Sequence, residues 1–215
     1  MGNITENQMR SVRDLSNANT TVMINPFDEF ELEEIQGRRL YINAVIDEGV
    51  IETIVFHILR FNREDIGIEP ENRKPIILYI NTPGGSVVDG FGLIDAILCS
   101  KTPVYTVNQA MCASMGFLIF LAGERRFTMP HSTFLMHDGQ GFACDSMGKM
   151  KDRMEFETKQ VEVMVKEYIM SRTTISDELY EDKYRIEWYM LPKEAKSYSI
   201  ATDIVGEDCN IDNII

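Results

Sequence analysis

Ser114 is the side chain best placed for covalent chemistry. It stands in Ala113-Ser114-Met115-Gly116, where an apolar strand pattern gives way to an apolar helical one. Hydrolases raise a nucleophile on such a strand-to-helix elbow, although serine is also an ordinary helix N-cap. A hydroxyl nucleophile needs a base, and the chain offers His57, His131 and His137. His57 falls within an amphipathic helical pattern, and His131 follows Pro130 in a turn. His137 ends the strand pattern Thr133-Phe134-Leu135-Met136 and opens a glycine-rich loop, at the strand end where α/β sheets gather functional residues. It is the best base by position. Cys112 is a rival nucleophile near the elbow, but small buried cysteines behave as inert hydrophobes and no charged neighbour activates it. A second turn, Pro83-Gly84-Gly85-Ser86, joins a buried strand to a helix. Its backbone N–H groups suit an anion or oxyanion, while a plain tight turn would look the same. Neither GxxxxGK[ST] nor GxGxxG occurs, so it is no nucleotide loop.

Alternating elements must position these turns. Residues 40–42 predict a strand, and Ile46, Val50, Ile51, Ile54, Val55, Ile58 and Leu59 predict an amphipathic helix. After a polar loop over 62–74, the apolar run 76–80 suits a strand buried on both faces, as a parallel sheet requires. A helix bearing Val87, Phe91, Ile94 and Leu98 follows, then a strand over 104–107, a small-residue turn over 110–114 and a helix over 115–122. Residues 127–129 and 133–136 read as short strands. A long helix is expected over 146–171, with Met147, Met150, Met154, Val161, Val165 and Tyr168 as its buried stripe. Strand and helix in alternation predict an α/β domain, a parallel sheet with crossover helices.

Residues 1–35 differ: polar, then acidic at Asp28, Glu29, Glu31, Glu33 and Glu34. They read as a flexible, solvated arm, with Phe27, Phe30 and Leu32 able to dock part of it. The 215 residues carry 21 basic and 34 acidic side chains, a net charge of −13, with 44% hydrophobic and 26% charged residues. This excludes a disordered or fibrous chain and argues against nucleic-acid binding, which needs clustered Lys and Arg. Residues 1–13 are polar, unlike a secretory signal, and no run of about 18 apolar residues suits a membrane span. Cys99, Cys112, Cys144 and Cys209 are scattered, which fits reduced thiols in the cytoplasm. No metal and no cofactor are expected.

Three motifs in one order carry a family likeness. They are Leu78-Tyr79-Ile80-Asn81-Thr82-Pro83-Gly84-Gly85-Ser86, Ala113-Ser114-Met115-Gly116 and Phe134-Leu135-Met136-His137. Leu121-Ala122-Gly123 and Glu194-Ala195-Lys196-Ser197-Tyr198 extend it, so that residues 39–205 resemble the proteolytic subunit of the Clp protease, the ClpP family. The resemblance implies a ClpP/crotonase-like domain over 36–207, with a tail over 208–215 and a long protruding helix used in ring–ring contact. It implies a serine endopeptidase with Ser114 as nucleophile, His137 as general base, and an oxyanion hole built from the backbone N–H groups of Gly85 and Met115. The third triad member departs from the family's aspartate. An ungapped alignment lands on Glu187, and a small gap brings in Asp182. Asp138-Gly139 replaces the family's usual Gln-Pro, and the loop over 62–74 is longer than usual. The resemblance further implies two stacked seven-membered rings, a separate AAA+ unfoldase as partner, unfolded polypeptides as substrates, and Tyr79 in a hydrophobic pocket that receives partner loops. It also implies that the acidic residues 28–34 form a collar at the axial entrance. Two other readings stay open: an inactive ring subunit, and a crotonase-type acyl-CoA enzyme, which would do its acid–base work with carboxylates.

Overall fold

The computed structural model describes residues 26–139 and 145–215. Residues 35–215 form one compact unit. The end of the acidic stretch is helical instead of irregular: Pro26–Gln36 forms α1. Residues 1–25 of the expected arm, and residues 140–144 of the glycine-rich loop with Cys144, lie outside the described residues.

The sheet is built around two strands, β2 (Ile76–Thr82) and β3 (Val104–Ala113). On the far side of β2 runs β1 (Arg39–Ile42), and beyond β3 lie β4 (Arg125–Thr128) and β7 (Asp203–Ile204), all parallel. β3 is longer than residues 104–107 predict, because it serves two partners in turn. Residues 105–108 pair with β4, and residues 111–113 pair in parallel with β5 (Thr133–Met136). Buried Asn108 marks the switch, its Nδ2 donating to the Thr133 carbonyl at 2.9 Å. β6 (Trp188–Met190) then adds antiparallel to β5, an element the sequence pattern did not announce.

Alternation along β2 divides the core. Ile76, Leu78 and Ile80 join the larger cluster with the helices, while Ile77 and Tyr79 join a smaller one on the opposite face. The helix expected from Ile46 starts later, with a π turn at Ile51–Val55 before α2 (Phe56–Glu64) and Val50, Ile54 and Ile58 buried; Ile46 lies ahead of it and instead bridges to Gly85. α3 (Val87–Leu98) and α4 (Met115–Ala122) follow the two candidate turns, and every residue of α4 is buried. An α-helix with no polar face must lie inside the core. The long helix is nearly continuous: α5 (Met147–Phe156), a π turn at Glu157–Val161, and α6 (Glu162–Arg172).

Its expected stripe is only half buried. Tyr168 and Val165 pack on the core, but Met147 is 80% exposed and Met154 67%, and α5 buries nothing. The heptad-like methionines match a buried face that the fold of one chain supplies only to α6. α7 (Asp177–Lys183) and α8 (Pro192–Ser197) complete the fold.

An ion pair fastens the entrance to β1. Arg38, at φ 64°, donates to both carboxylate oxygens of Asp65 at 2.7 and 2.6 Å, and Thr102 Oγ1 donates to Oδ2 at 2.8 Å. The guanidinium holds the Asp65 carboxyl below the usual carboxylate range against the opposing effect of burial. The polar loop over 62–74 is thereby tied to the start of two strands.

Candidate active site

Ser114 joins β3 to α4 at φ 52° and ψ −120°, a conformation that costs a side-chain-bearing residue roughly 1–3 kcal/mol. Its side chain caps nothing, so the plain N-cap reading does not account for it. The Ser114 N–H donates to the Leu135 carbonyl at 2.9 Å, which continues the β3–β5 ladder one residue past Ala113↔Leu135. Parallel strands lie about 4.8 Å apart. Ser114 therefore stands beside Met136, and His137 is the next residue along.

The same extrapolation places Glu187. In the antiparallel β5–β6 ladder Leu135 faces Tyr189 and Met136 faces Trp188, so the next facing pair is His137 and Glu187. Asp182, the alternative, lies in α7 and pairs with Lys183 at 2.9 Å. Register thus brings Ser114, His137 and Glu187 to one end of three neighbouring strands. Ser114 and His137 are half-buried, whereas Glu187 is exposed. Among the described residues no hydrogen bond joins the three side chains; Glu187 Oε2 instead accepts from Tyr189 Oη at 3.2 Å. That contact raises the Tyr189 phenol above its ordinary value, since ionisation would face a carboxylate.

The Gly84-Gly85 turn backs directly onto the elbow. Gly84 has φ 103°, and a Cβ there would lie 2.6 Å from Ser114 Cβ and 2.9 Å from the Ala113 carbonyl oxygen. Two hydrogen bonds staple the turn to Ile46: Ile46 N–H to the Gly84 carbonyl at 2.9 Å, and Ser86 N–H to the Ile46 carbonyl at 2.8 Å. Ser86 Oγ accepts from Asp89 N–H and caps α3. Among the described residues the N–H groups of Gly85 and Met115 have no acceptor, as an oxyanion hole requires of its donors.

Two arginines absent from the candidates brace the core behind the elbow, Arg172 at the far end of α4 and Arg126 at the turn before β7. Arg172 donates to the carbonyls of Leu121 at 2.9 Å and Gly123 at 2.9 Å, and buried Arg126 donates to those of Ile200 and Ser199 at 2.7 Å each. Burial, aided by the nearby Arg172, pushes the Arg126 guanidinium down to about 10. The only sequence signal was a basic pair, Arg125-Arg126, inside an apolar stretch.

The remaining candidates lie elsewhere or are inert. Cys112 is fully buried, and desolvation pushes its thiol well up, away from the nucleophilic thiolate. His57 stacks on Phe61 in α2, and His131 lies in the turn before β5. Tyr79 is buried on the smaller-cluster face, stacks on Tyr41 at 4.7 Å, and donates its hydroxyl to the Ile214 carbonyl. Among the described residues, no group of His, Cys, Asp and Glu is arranged to hold a metal ion, and no helix is long and apolar enough to cross a membrane.

A mostly parallel α/β sheet with a strained serine at a strand-to-helix elbow, and a histidine on the adjacent strand end, defines a hydrolase-like architecture. Comparison with known proteins names the family. The family model for Clp protease matches residues 32–208, and the chain belongs to that family. It is 28% identical over 171 residues to the ATP-dependent Clp protease proteolytic subunit 2 of Prochlorococcus marinus subsp. pastoris, covering 79% of this chain and 82% of that protein. It is also 28% identical over 175 residues to the proteolytic subunit 3 of Parasynechococcus marenigrum, with the same coverage of 79% and 82%.

Proposed function

We propose that the chain is a serine endopeptidase subunit of a self-compartmentalising Clp protease. The observation that supports this reading is the register of β3, β5 and β6, which, carried one residue further, sets Ser114, His137 and Glu187 at neighbouring strand ends, with Ser114 against the Gly84-Gly85 turn. His137 takes the proton of Ser114 Oγ as Oγ bonds to the carbonyl carbon of the scissile peptide. The N–H groups of Gly85 and Met115 receive the resulting oxyanion, a contribution of roughly 3–4 kcal/mol per donor in such sites. The tetrahedral intermediate collapses as the C–N bond breaks, and His137 returns its proton to the departing amine. Water, activated by the same imidazole, then releases the acyl group from Ser114. Glu187 orients the imidazole and balances its charge.

Assembly follows the same reading. The exposed apolar side chains Met147, Met154 and Phe156 of α5 support a role in contact between two stacked seven-membered rings. A AAA+ unfoldase delivers unfolded polypeptides in the cytoplasm, and the acidic residues at 28–34 line the entrance. The absence of a hydrogen bond among the three catalytic candidates, with Glu187 held by Tyr189, favours a second reading: a ring subunit of weak or no activity. Fluorophosphonate labelling of the assembled protein separates the two. Modification of Ser114, lost together with cleavage of a short fluorogenic peptide in Ser114→Ala, supports the peptidase. Rings that neither label nor cleave refute it.

A further inference from the structure

β3 holds a buried amide at the point where it changes partners. Asn108 is fully buried, and its register partners, Ile80 in β2 and Thr128 in β4, flank it on the sheet face that the helices cover. Immediately beyond it β3 bulges. A step of two residues on β2, Ile80 to Thr82, faces a step of four on β3, Asn108 to Cys112. Gln109, Ala110 and Met111 in between are exposed. The bulge divides β3 into a lower half laddered to β4 and an upper half that ladders with β5 and leads to Ser114.

The Asn108 carboxamide spans this division. Its Nδ2 donates at 2.9 Å to the carbonyl of Thr133, the first residue of β5, so a side chain of the lower half grips the strand of the upper half. The other end of the amide goes unused: among the described residues Oδ1 has no hydrogen-bond partner. The hydroxyls nearby have no proton to spare. Thr106 Oγ1 donates to the Phe120 carbonyl at 2.8 Å and Ser132 Oγ to the Met129 carbonyl at 2.9 Å, which leaves the Thr128 hydroxyl to donate to Ser132 at 2.6 Å. Turning the amide over would set Oδ1 against the Thr133 carbonyl, acceptor against acceptor. A buried acceptor without a donor costs more than one neutral hydrogen bond returns, so an apolar side chain is the more stable choice at 108. What the amide does for β5, and not what it adds to stability, accounts for it.

We propose that Asn108 is a positioning residue for the base: a strut across the β3 bulge that fixes β5, and with it His137, against the strand that carries Ser114. Its effect on catalysis rests on the peptidase reading, whereas its effect on β5 does not. β5 is only four residues long and leads straight to His137, so a tilt at Thr133 is carried to the imidazole. Ser114 is held separately by the Gly84 turn, so the same tilt changes the distance between base and nucleophile.

Asn108→Val and Asn108→Ala each remove the strut. On a short fluorogenic peptide kcat is expected to fall about tenfold, for a displacement of roughly half an ångström, while KM stays within about twofold. The Tm of Asn108→Val is expected to match or exceed that of the parent. Hydrogen exchange reads β5 without any cleavage. The Ser114 N–H, which donates to the Leu135 carbonyl, is expected to exchange at least about fivefold faster in both variants, with the N–H groups of Leu78 and Ile80 in β2 unchanged. If the parent itself neither labels with a fluorophosphonate nor cleaves, the peptidase reading fails and the exchange comparison alone decides the role of Asn108. Unchanged exchange at Ser114, or faster exchange throughout the sheet, overturns the proposal. So does an unchanged kcat in an active parent, a joint fall of kcat and Tm in Asn108→Val, or a failure of both variants to fold.

Discussion

Replacing Gly84 by alanine perturbs the candidate site through a single methyl group. The added Cβ lies 2.6 Å from Ser114 Cβ and 3.1 Å from Met115 N, whereas carbon atoms in contact settle at about 3.5–4.0 Å. The elbow must retreat by about 1 Å, which moves Ser114 Oγ and the Met115 N–H together. A 1 Å misplacement of a catalytic group costs about a hundredfold in rate. The backbone at φ 103° adds roughly 1–3 kcal/mol of strain. Gly67→Ala supplies the control, because Gly67 has φ 92° with nothing within 4 Å of its would-be Cβ. Both variants are expected to lose stability, but only Gly84→Ala loses kcat/KM on a short fluorogenic peptide, by about a hundredfold where both remain folded. If Gly84→Ala keeps kcat/KM within threefold of the parent, or if Gly67→Ala loses as much, the placement of Ser114 against this turn plays no part in the chemistry.

Three further expectations follow from the same geometry. Glu187→Gln is expected to lower kcat/KM by at least about tenfold, as loss of the group orienting the base does in other hydrolases, while Asp182→Asn leaves it unchanged; the reverse pattern in peptide assays transfers the role to Asp182. Asp65→Asn breaks a buried ion pair and is expected to cost about 3–5 kcal/mol in chemical denaturation. Because folding depresses the Asp65 carboxyl, its stabilisation is complete above about pH 4 and is lost as pH falls through the lower folded value. The gap in Tm between parent and variant should therefore narrow in acid, and a gap independent of pH would contradict this. Arg172→Met removes hydrogen bonds from a charged donor to the end of α4 and is expected to cost about 2–3 kcal/mol, read as a Tm lower by roughly 5–10 °C.

Local pattern carried the parallel core and both candidate turns. The run Ile76 to Ile80 is apolar without interruption because both faces of β2 are buried, and the alternation of such runs with helices implies the sheet. Long-range register was not legible. The partners that put Glu187 opposite His137 belong to a three-residue strand, Trp188–Met190, too short to leave a periodic mark. Asn108 and Gln109 interrupted the apolar pattern and hid the continuation of β3, because a change of partner strand is a tertiary event. The methionine stripe misled for the opposite reason: Met147 and Met154 carry a periodic signal but face no core within one chain. Tyr79 had a legible position but an illegible neighbour, since nothing local links it to Ile214.

Arg172 gives α4, the helix that follows Ser114, a brace at its far end. At its N-terminus the helix is pinned by the Ser114 N–H to Leu135 bond and by Gly84 pressed against the elbow. Its C-terminal carbonyls are held by Arg172, and the Tyr168 hydroxyl donates to the Leu118 carbonyl midway along. With all eight residues buried, this short rod has neither a free end nor a free face along which to slide or roll. The rod that follows Ser114 is therefore braced at both ends and along its side, whereas His137 and Glu187 stand just past the ends of β5 and the three-residue β6.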